Sequence, residues 1–293
     1  MDKIESSIVD VETYWHSNPC GSLEDSNRYI DQPKIPLYAD FKAYRGKTVL
    51  EIGCGAGHDG LEFVNAGAIY VGIDLSDESI NTTRKRFNIA KKVCVLRKAN
   101  AENIIAYDNS FDHVYSFGVI HHSPNPEKIV DEIYRVLKAD GTATIMLYNK
   151  TSFYYLLEVK IIRKLFFLVC HKKKLCNAVF TLFGKHKAQR FETFREKLAE
   201  MKTINKNPTK EEWLSMNTDS VFCPISRVYS KADIKKLFHK FTEVKTSVWF
   251  IDKYCSSLWL AFGWITPKFL ERWLEIHFGW FRMIQIKKGF PYN

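Results

Sequence analysis

The chain has 293 residues, 46% hydrophobic and 14% aromatic, with a formal net charge of +10. This excludes a disordered chain, and no stretch approaches the roughly 20 uncharged apolar residues that a membrane span needs. The length suits two domains or one elaborated α/β domain. Seven cysteines show no repeating CxxC pattern. The expectation is therefore free thiols in a reducing cytoplasm, with no disulfide framework and no zinc or other metal site. Residues 1–10 mix acidic and polar residues without an apolar run, which argues against a secretory signal. The charge is localised: residues 151–210 hold fourteen Lys plus Arg against four Glu, and the remainder holds 29 of each sign.

In chain order, residues 1–46 read as a helical N-terminal lid carrying Tyr14, Trp15 and His16, with Arg28 and Tyr29 in the same lid. An ordinary amphipathic helix packed on the sheet is the alternative. From 47 to 148, apolar runs at Thr48–Ile52, Ile69–Asp74, Lys92–Arg97, Phe111–Phe117 and Thr142–Tyr148 read as strands. Helical periods lie between them at His58–Ala66, Asp77–Ala90 and Pro126–Leu137, and Asp140-Gly141 supplies the turn before the fifth strand. Strands alternating with helices imply a doubly wound, mostly parallel α/β sheet. Residues 149–220 are basic, aromatic and helix-like, an insertion capping the site. Residues 221–293 complete the sheet: a helix capped by Ser230 with Asp233 at N3, a strand over Thr242–Phe250, a second helical, tryptophan-rich insertion, and a last strand over Trp280–Ile286.

The most informative segment is Val49–Gly57, VLEIGCGAG. It follows a strand and opens a helix, the context in which a glycine loop binds a nucleotide. Glycines at 53, 55 and 57 permit a sharp turn and close approach to a ligand. Asp74, 21 positions after Gly53, ends the next strand, where a carboxylate can accept hydrogen bonds from ribose hydroxyls. A dinucleotide site asks for GxGxxG, yet His58 stands where the third small residue belongs. Glu51 before the first glycine is poorly placed for a pyrophosphate and well placed for the ammonium of a methionine moiety. The chemistry therefore favours S-adenosylmethionine (SAM) over NAD.

Glu51–Gly57 together with Gly72–Ser76 resembles the first motifs of class I SAM-dependent methyltransferases. Asn100–Asn103, Asn109–Asp112, Ser116–His122 and Arg135–Gly141 resemble the later motifs of the UbiE-like branch. Tyr14–Gly21 and Pro224–Ser230 resemble features of a bacterial subgroup of it. The resemblance implies a Rossmann-like, seven-stranded sheet and an enzyme that moves a methyl group from SAM. It implies that Glu51, Gly53, Gly55 and Gly57 hold the methionine end, Asp74 the ribose, Leu75 an adenine face, and Asn100 and Ala101 the adenine edge. Asn100 departs from the commoner aspartate.

His121 and His122 follow the fourth strand at the ligand-facing end of the sheet. Either is a candidate general base, or else shapes the loop or contacts the cofactor. Tyr14 is a candidate cofactor contact and Trp15 a candidate acceptor contact near the methyl group. Arg227 and Tyr229 are candidates for the acceptor pocket, with structural capping as the alternative.

Over Tyr154–Val169, α-helical spacing puts Lys160, Arg163 and Lys164 on one side. Leu157, Ile161, Ile162, Leu165, Leu168 and Val169 fall on the other, with Glu158 intruding there. With Lys172–Lys174 this segment is either a cap over the acceptor pocket or a peripheral contact with an anionic membrane through 154–174. The expected partner is a small-molecule acceptor, lipid-like, aromatic or glycan-linked, methylated on O, N or C. A nucleic-acid methyltransferase is disfavoured: no Asn-Pro-Pro-Tyr or Asp-Pro-Pro-Tyr motif follows the fourth strand and no RNA-binding module is present. A non-catalytic SAM-binding or membrane-associated scaffold is the third reading. Nothing in the sequence fixes the oligomeric state.

Overall fold

The computed structural model describes residues 7–24, 28–165, 196, 208–220, 222–251 and 265–290. The basic run 166–174, most of the insertion placed at 149–220, and the tryptophan-rich stretch 252–264 lie outside the described residues.

The lid region begins with α1 (Ile8–Ser17), opened by a capping box between Ser7 and Asp10. The short helices α2 (Arg28–Asp31) and α3 (Ile35–Ala39) follow. Then come β1 (Thr48–Ile52), α4 (His58–Asn65), β2 (Ile69–Asp74), α5 (Asp77–Ile89), β3 (Val95–Lys98), β4 (Phe111–Phe117), α6 (Pro126–Val136) and β5 (Leu137–Asn149). A π-helix spans Tyr154–Ile162, followed by α7 (Lys210–Thr218), β6 (Val228–Tyr229), α8 (Lys231–Leu237), β7 (Glu243–Trp249), α9 (Lys268–Phe278) and β8 (Phe281–Lys287). The Ser230–Asp233 capping box forms as the sequence suggests.

The strands form one sheet in the order β3-β2-β1-β4-β5-β8-β7, with the two-residue β6 paired to β5. Pairings from β3 to β5 are parallel, and β8 lies antiparallel between β5 and β7. Chain order runs outward in opposite directions from β1 and β4, so the topological switch point, where α/β sheets bind ligands, falls between them. Side chains alternate across the sheet. Leu50, Val114, Ile145 and Ile284 pack with Ile129 and Ile133 of α6 and Ile234 of α8. Val49, Tyr115, Met146 and Met283 pack on the other face with Phe63 of α4 and Phe87 of α5.

Three local expectations need correction. The third strand starts at Val95, not Lys92, because Lys91 takes a left-handed φ of 53° as the chain leaves α5. The fifth strand starts at Leu137 and runs through Asp140-Gly141: Leu137 already pairs with Phe111, and the register then shifts toward the His113–Thr142 pair. Asp140, at φ 60°, lies in that irregularity. The basic face expected over Tyr154–Val169 changes within the described part, 154–165, because the π-helix closes i→i+5 and departs from the α-helical arrangement of side chains. Arg163 turns inward, 3.6 Å from buried Glu158 and bonded to the Asn217 carbonyl, while Ile161 and Leu165 are exposed beside Lys160 and Lys164.

β6 has a positioning role. β4 pairs with β5 as far as Phe117–Met146; beyond that, Tyr148 and Asn149 pair with Val228 and Tyr229. β8 holds the opposite edge of β5 at Tyr148, so β6 continues the lane that β4 vacates. This carries 224–227 against the loop that follows β4, where the Arg227 N–H donates to the His121 carbonyl at 3.1 Å.

Candidate functional site

A cavity of about 310 Å³ opens over the carboxyl ends of β1, β2 and β4. Its wall includes the glycine loop, Asp74 and Leu75 after β2, Asn100 and Ala101 after β3, Gly118 and Val119 after β4, and Val11, Trp15 and Arg28 from the N-terminal region. Glu51, Gly53, Gly55, Asp74, Leu75, Asn100, Ala101, Trp15 and His122 all line it; Tyr14, Gly57, His121, Arg227 and Tyr229 do not.

The loop uses its glycines sterically. Gly53 has φ 78°, and a Cβ there would lie 2.1 Å from a Val119 methyl. Gly57, at φ 77°, is the N-cap of α4, and a Cβ there would meet Thr83 at 2.7 Å. Asp74 stiffens the same loop: its Oδ2 accepts from the Gly55 N–H at 2.9 Å and its Oδ1 from the Ser76 N–H at 2.9 Å. Burial raises the Asp74 pKa, partly offset by these backbone donors. Asn100 Oδ1 accepts from the Glu102 N–H at 2.9 Å, which fixes the side chain and leaves its amide NH₂ as the donor group.

Three acidic or basic groups, Glu51, Asp59 and Arg28, also line the cavity. Glu51 is buried, with Tyr70 donating to its Oε2 at 2.5 Å. Burial, reinforced by the Asp59 charge, pushes the Glu51 pKa well above the carboxylate range. Among the described residues Glu51 is in no ion pair. A buried acid on a cavity wall without its own cation suits an ammonium group, and this is the observed feature that fits the methionine end of SAM.

Asp59, which sequence reading missed, is the contrasting acid. It is 2% exposed and accepts from Arg28 (Nε to Oδ1, 2.8 Å; Nη2 to Oδ2), Tyr29 Oη (2.9 Å) and Tyr115 Oη (2.9 Å). Burial raises its pKa, but the Arg28 charge and these donors outweigh it and hold the carboxyl below its ordinary range. Arg28 also lies 5.2 Å from the Phe117 ring centroid. The available signal was an acid in the first turn of the helix that the glycine loop opens.

Around the loop after β4, the two histidines part. His121 is fully buried against the Tyr148 ring (centroids 3.8 Å apart), and neither ring nitrogen has a hydrogen-bond partner. Burial, then the neighbouring His122, drives its pKa far down, so it is neutral. It does not line this cavity, which His122 does. His122 is at the wall, edge-on to Trp15 with centroids 5.0 Å apart. Its Nδ1 lies 2.8 Å from the Ile225 carbonyl and its Nε2 lies 3.6 Å from Asp219 Oδ1.

Tyr14 does not line the cavity; its ring packs edge-on to Trp15 with centroids 4.9 Å apart, and burial raises its pKa. Arg227 donates from Nη1 to the Ser123 carbonyl and from Nη2 to that of Pro124 (3.2 Å), clamping the loop. Tyr229 is buried in β6. The geometry of both residues matches the capping alternative: Arg227 holds the loop, and Tyr229, in β6, pairs with Asn149.

Residues 50–145 match a family model described as a methyltransferase domain. Phosphoethanolamine N-methyltransferase 2 of Caenorhabditis elegans is 35% identical over 120 residues, 40% of this chain and 26% of that protein. A ubiquinone biosynthesis O-methyltransferase of Glaesserella parasuis is 31% identical over 119 residues, 39% of this chain and 50% of that protein. The chain thus spans about a quarter to a half of the length of these curated relatives. The crystal structure of the cyclase SpnF is similar over 97% of this chain and 94% of that one, with TM-score 0.53 and 13% identity, a likeness of fold alone. One fold hosts many chemistries, so the assignment rests on the motif-bearing segment: residues 50–145 are a class I SAM-dependent methyltransferase domain.

Proposed function

We propose that the chain transfers a methyl group from SAM to an O, N or C atom of a small-molecule acceptor in a reducing cytoplasm. The observation that carries this reading is the pairing, in one cavity, of an unpaired buried Glu51 with Asp74 at the end of the adjacent strand. Glu51, Gly53 and Gly55 take the methionine end, Asp74 the ribose, and Leu75, Asn100 and Ala101 the adenine. The sulfonium supplies an activated methyl group. The chain's own contribution is alignment and exclusion of water, with alignment contributing up to roughly 7–11 kcal/mol in well-oriented cases. We assign His122 and Trp15, not His121, to the acceptor end of the cavity.

Calorimetric titration of the full chain with SAM, and separately with NAD, tests the cofactor. Micromolar binding of SAM alone is the expected result. Asp74→Ala should weaken SAM about 10–100-fold, matching the 1.5–3 kcal/mol of a hydrogen bond to a charged group, with far-UV circular dichroism retained. An unchanged dissociation constant would remove Asp74 from the site.

The exposed pair Ile161 and Leu165, beside exposed Lys160 and Lys164, favours a peripheral lipid contact for the 154–165 segment over a wall of the acceptor pocket. No helix among the described residues is long and apolar enough to cross a membrane. Sedimentation with vesicles rich in phosphatidylserine should therefore carry the protein down, reversibly with salt. Equal sedimentation with neutral vesicles, or none with either, would defeat the electrostatic contact.

A further inference from the structure

Behind the wall formed by His122, three potential metal ligands converge. The His122 ring, the Asp219 carboxylate and the Cys223 thiol place one ligand atom each within 4.8 Å of one another. His122 follows β4, Asp219 ends α7, and Cys223 precedes β6. His122 and Cys223 are buried, and the Asp219 side chain is 15% exposed. We propose that this cluster binds a divalent cation of the zinc class through His122 Nε2, an Asp219 carboxylate oxygen and Cys223 Sγ.

The hydrogen bonds assign the roles. The Ile225 carbonyl, 2.8 Å from His122 Nδ1, can only accept, so Nδ1 carries the proton and a neutral ring keeps its lone pair on Nε2. In the neutral ring that lone pair faces Asp219 Oδ1 at 3.6 Å, acceptor against acceptor, a position that either a metal cation or a proton on Nε2 fills. A cation resolves the conflict, and a backbone carbonyl on the second ring nitrogen is the usual way a metal-bound histidine is oriented.

The carboxylate is oriented as well. Tyr148 Oη donates to Oδ1 at 2.7 Å, and Ser226 Oγ and Thr218 Oγ1 each donate to Oδ2 at 2.8 Å. Among the described residues, no lysine or arginine is paired with Asp219. Zinc bonds of about 2.0–2.3 Å in a tetrahedron put ligand atoms about 3.3–3.8 Å apart. The 3.6 Å between Nε2 and Oδ1 meets that, whereas Cys223 Sγ lies 3.8 Å from Nδ1 and has to shift toward Nε2 to complete the set. Imidazole with thiolate selects zinc over magnesium or calcium. Three protein ligands leave a fourth position for water or an acceptor atom. Because His122 also lines the cavity, a hydroxyl or thiol acceptor held there would lose its proton to solvent more readily. That last consequence rests on the proposed methyltransferase reading, whereas metal binding does not.

The test uses the full chain, stripped with a chelator and titrated with Co²⁺. We expect about one Co²⁺ per chain with a strong thiolate-to-cobalt absorption in the near ultraviolet. The band should vanish in Cys223→Ser, persist in Cys94→Ser, and be displaced by Zn²⁺. X-ray absorption at the zinc edge of the wild-type protein should show one sulfur with two or three nitrogen or oxygen neighbours. This second measurement decides the matter even where Cys223→Ser fails to fold. Absence of the band in folded wild-type protein, its persistence in folded Cys223→Ser, or a zinc shell without sulfur overturns the proposal. His122 and Asp219 are then a plain imidazolium–carboxylate pair. SAM titration of the same samples reports separately on the cofactor reading.

Discussion

Arg28→Ala should destabilise the folded chain by about 3 kcal/mol at neutral pH, the lower end of the range for stranding one member of a buried ion pair. Asp59 is 2% exposed, and Arg28 is the cation that lets it remain ionised there. The Arg28 side chain is 24% exposed, so water partly screens the pair, which argues for the lower figure. The tyrosine donors remain in the variant, but hydroxyl groups do not compensate a buried charge.

The pH dependence has a definite sign. In the wild type the Asp59 pKa is depressed, so its contribution is present above the ordinary carboxylate range and lost as pH falls through the folded value. Without Arg28, burial dominates and the folded pKa rises. The deficit of the variant is then full at neutral pH and shrinks on acidification as Asp59 takes up a proton. Urea unfolding of both proteins at pH 7 and pH 5 checks this. A deficit independent of pH would mean that Arg28 acts through packing on Phe117 and not through charge.

The part of the site that sequence reveals is the part built from consecutive residues. Val49–Gly57 and Ile69–Asp74 are each a strand running into the loop it positions, so the spacing of Gly53, Glu51 and Asp74 already encodes their neighbourhood. The Arg28–Asp59 pair is legible only in halves: the arginine was assigned to a lid, while its partner stands 31 residues away at a helix start. The surroundings of His122 were hidden more deeply, since Ile225 and Asp219 lie about 100 residues downstream and arrive through the two-residue β6. No periodicity marks so short a strand. Pocket and capping roles for Arg227 and Tyr229 are indistinguishable in sequence for the same reason. At Arg163 the failure was one of period, because an α-helical projection cannot anticipate a π-helix, and Glu158, which looked like an intruder on an apolar face, is the residue Arg163 turns to meet.

Glu51→Gln should raise the stability of the ligand-free protein at alkaline pH and weaken SAM binding about 10–100-fold, the loss of a charged hydrogen bond worth 1.5–3 kcal/mol. The Glu51 pKa is raised in the fold, first by burial and then by the Asp59 charge. The stability linked to its proton is therefore complete below the ordinary glutamate range and is lost as pH climbs through the folded value. Glutamine keeps the shape and cannot ionise, so that loss disappears and the stability–pH curve flattens on its alkaline side. The same substitution removes the carboxylate that an ammonium would draw into its ionised form. In the wild type, SAM affinity should rise with pH as Glu51 sheds its proton; in the variant this dependence should be absent. Opposite movements of stability and affinity, read by thermal melts with and without SAM, identify Glu51 as an acid kept at a cost to the fold for the sake of a cationic ligand. If stability and affinity fall together, Glu51 is a structural partner of Tyr70, and the methionine end of the cofactor lies against other residues.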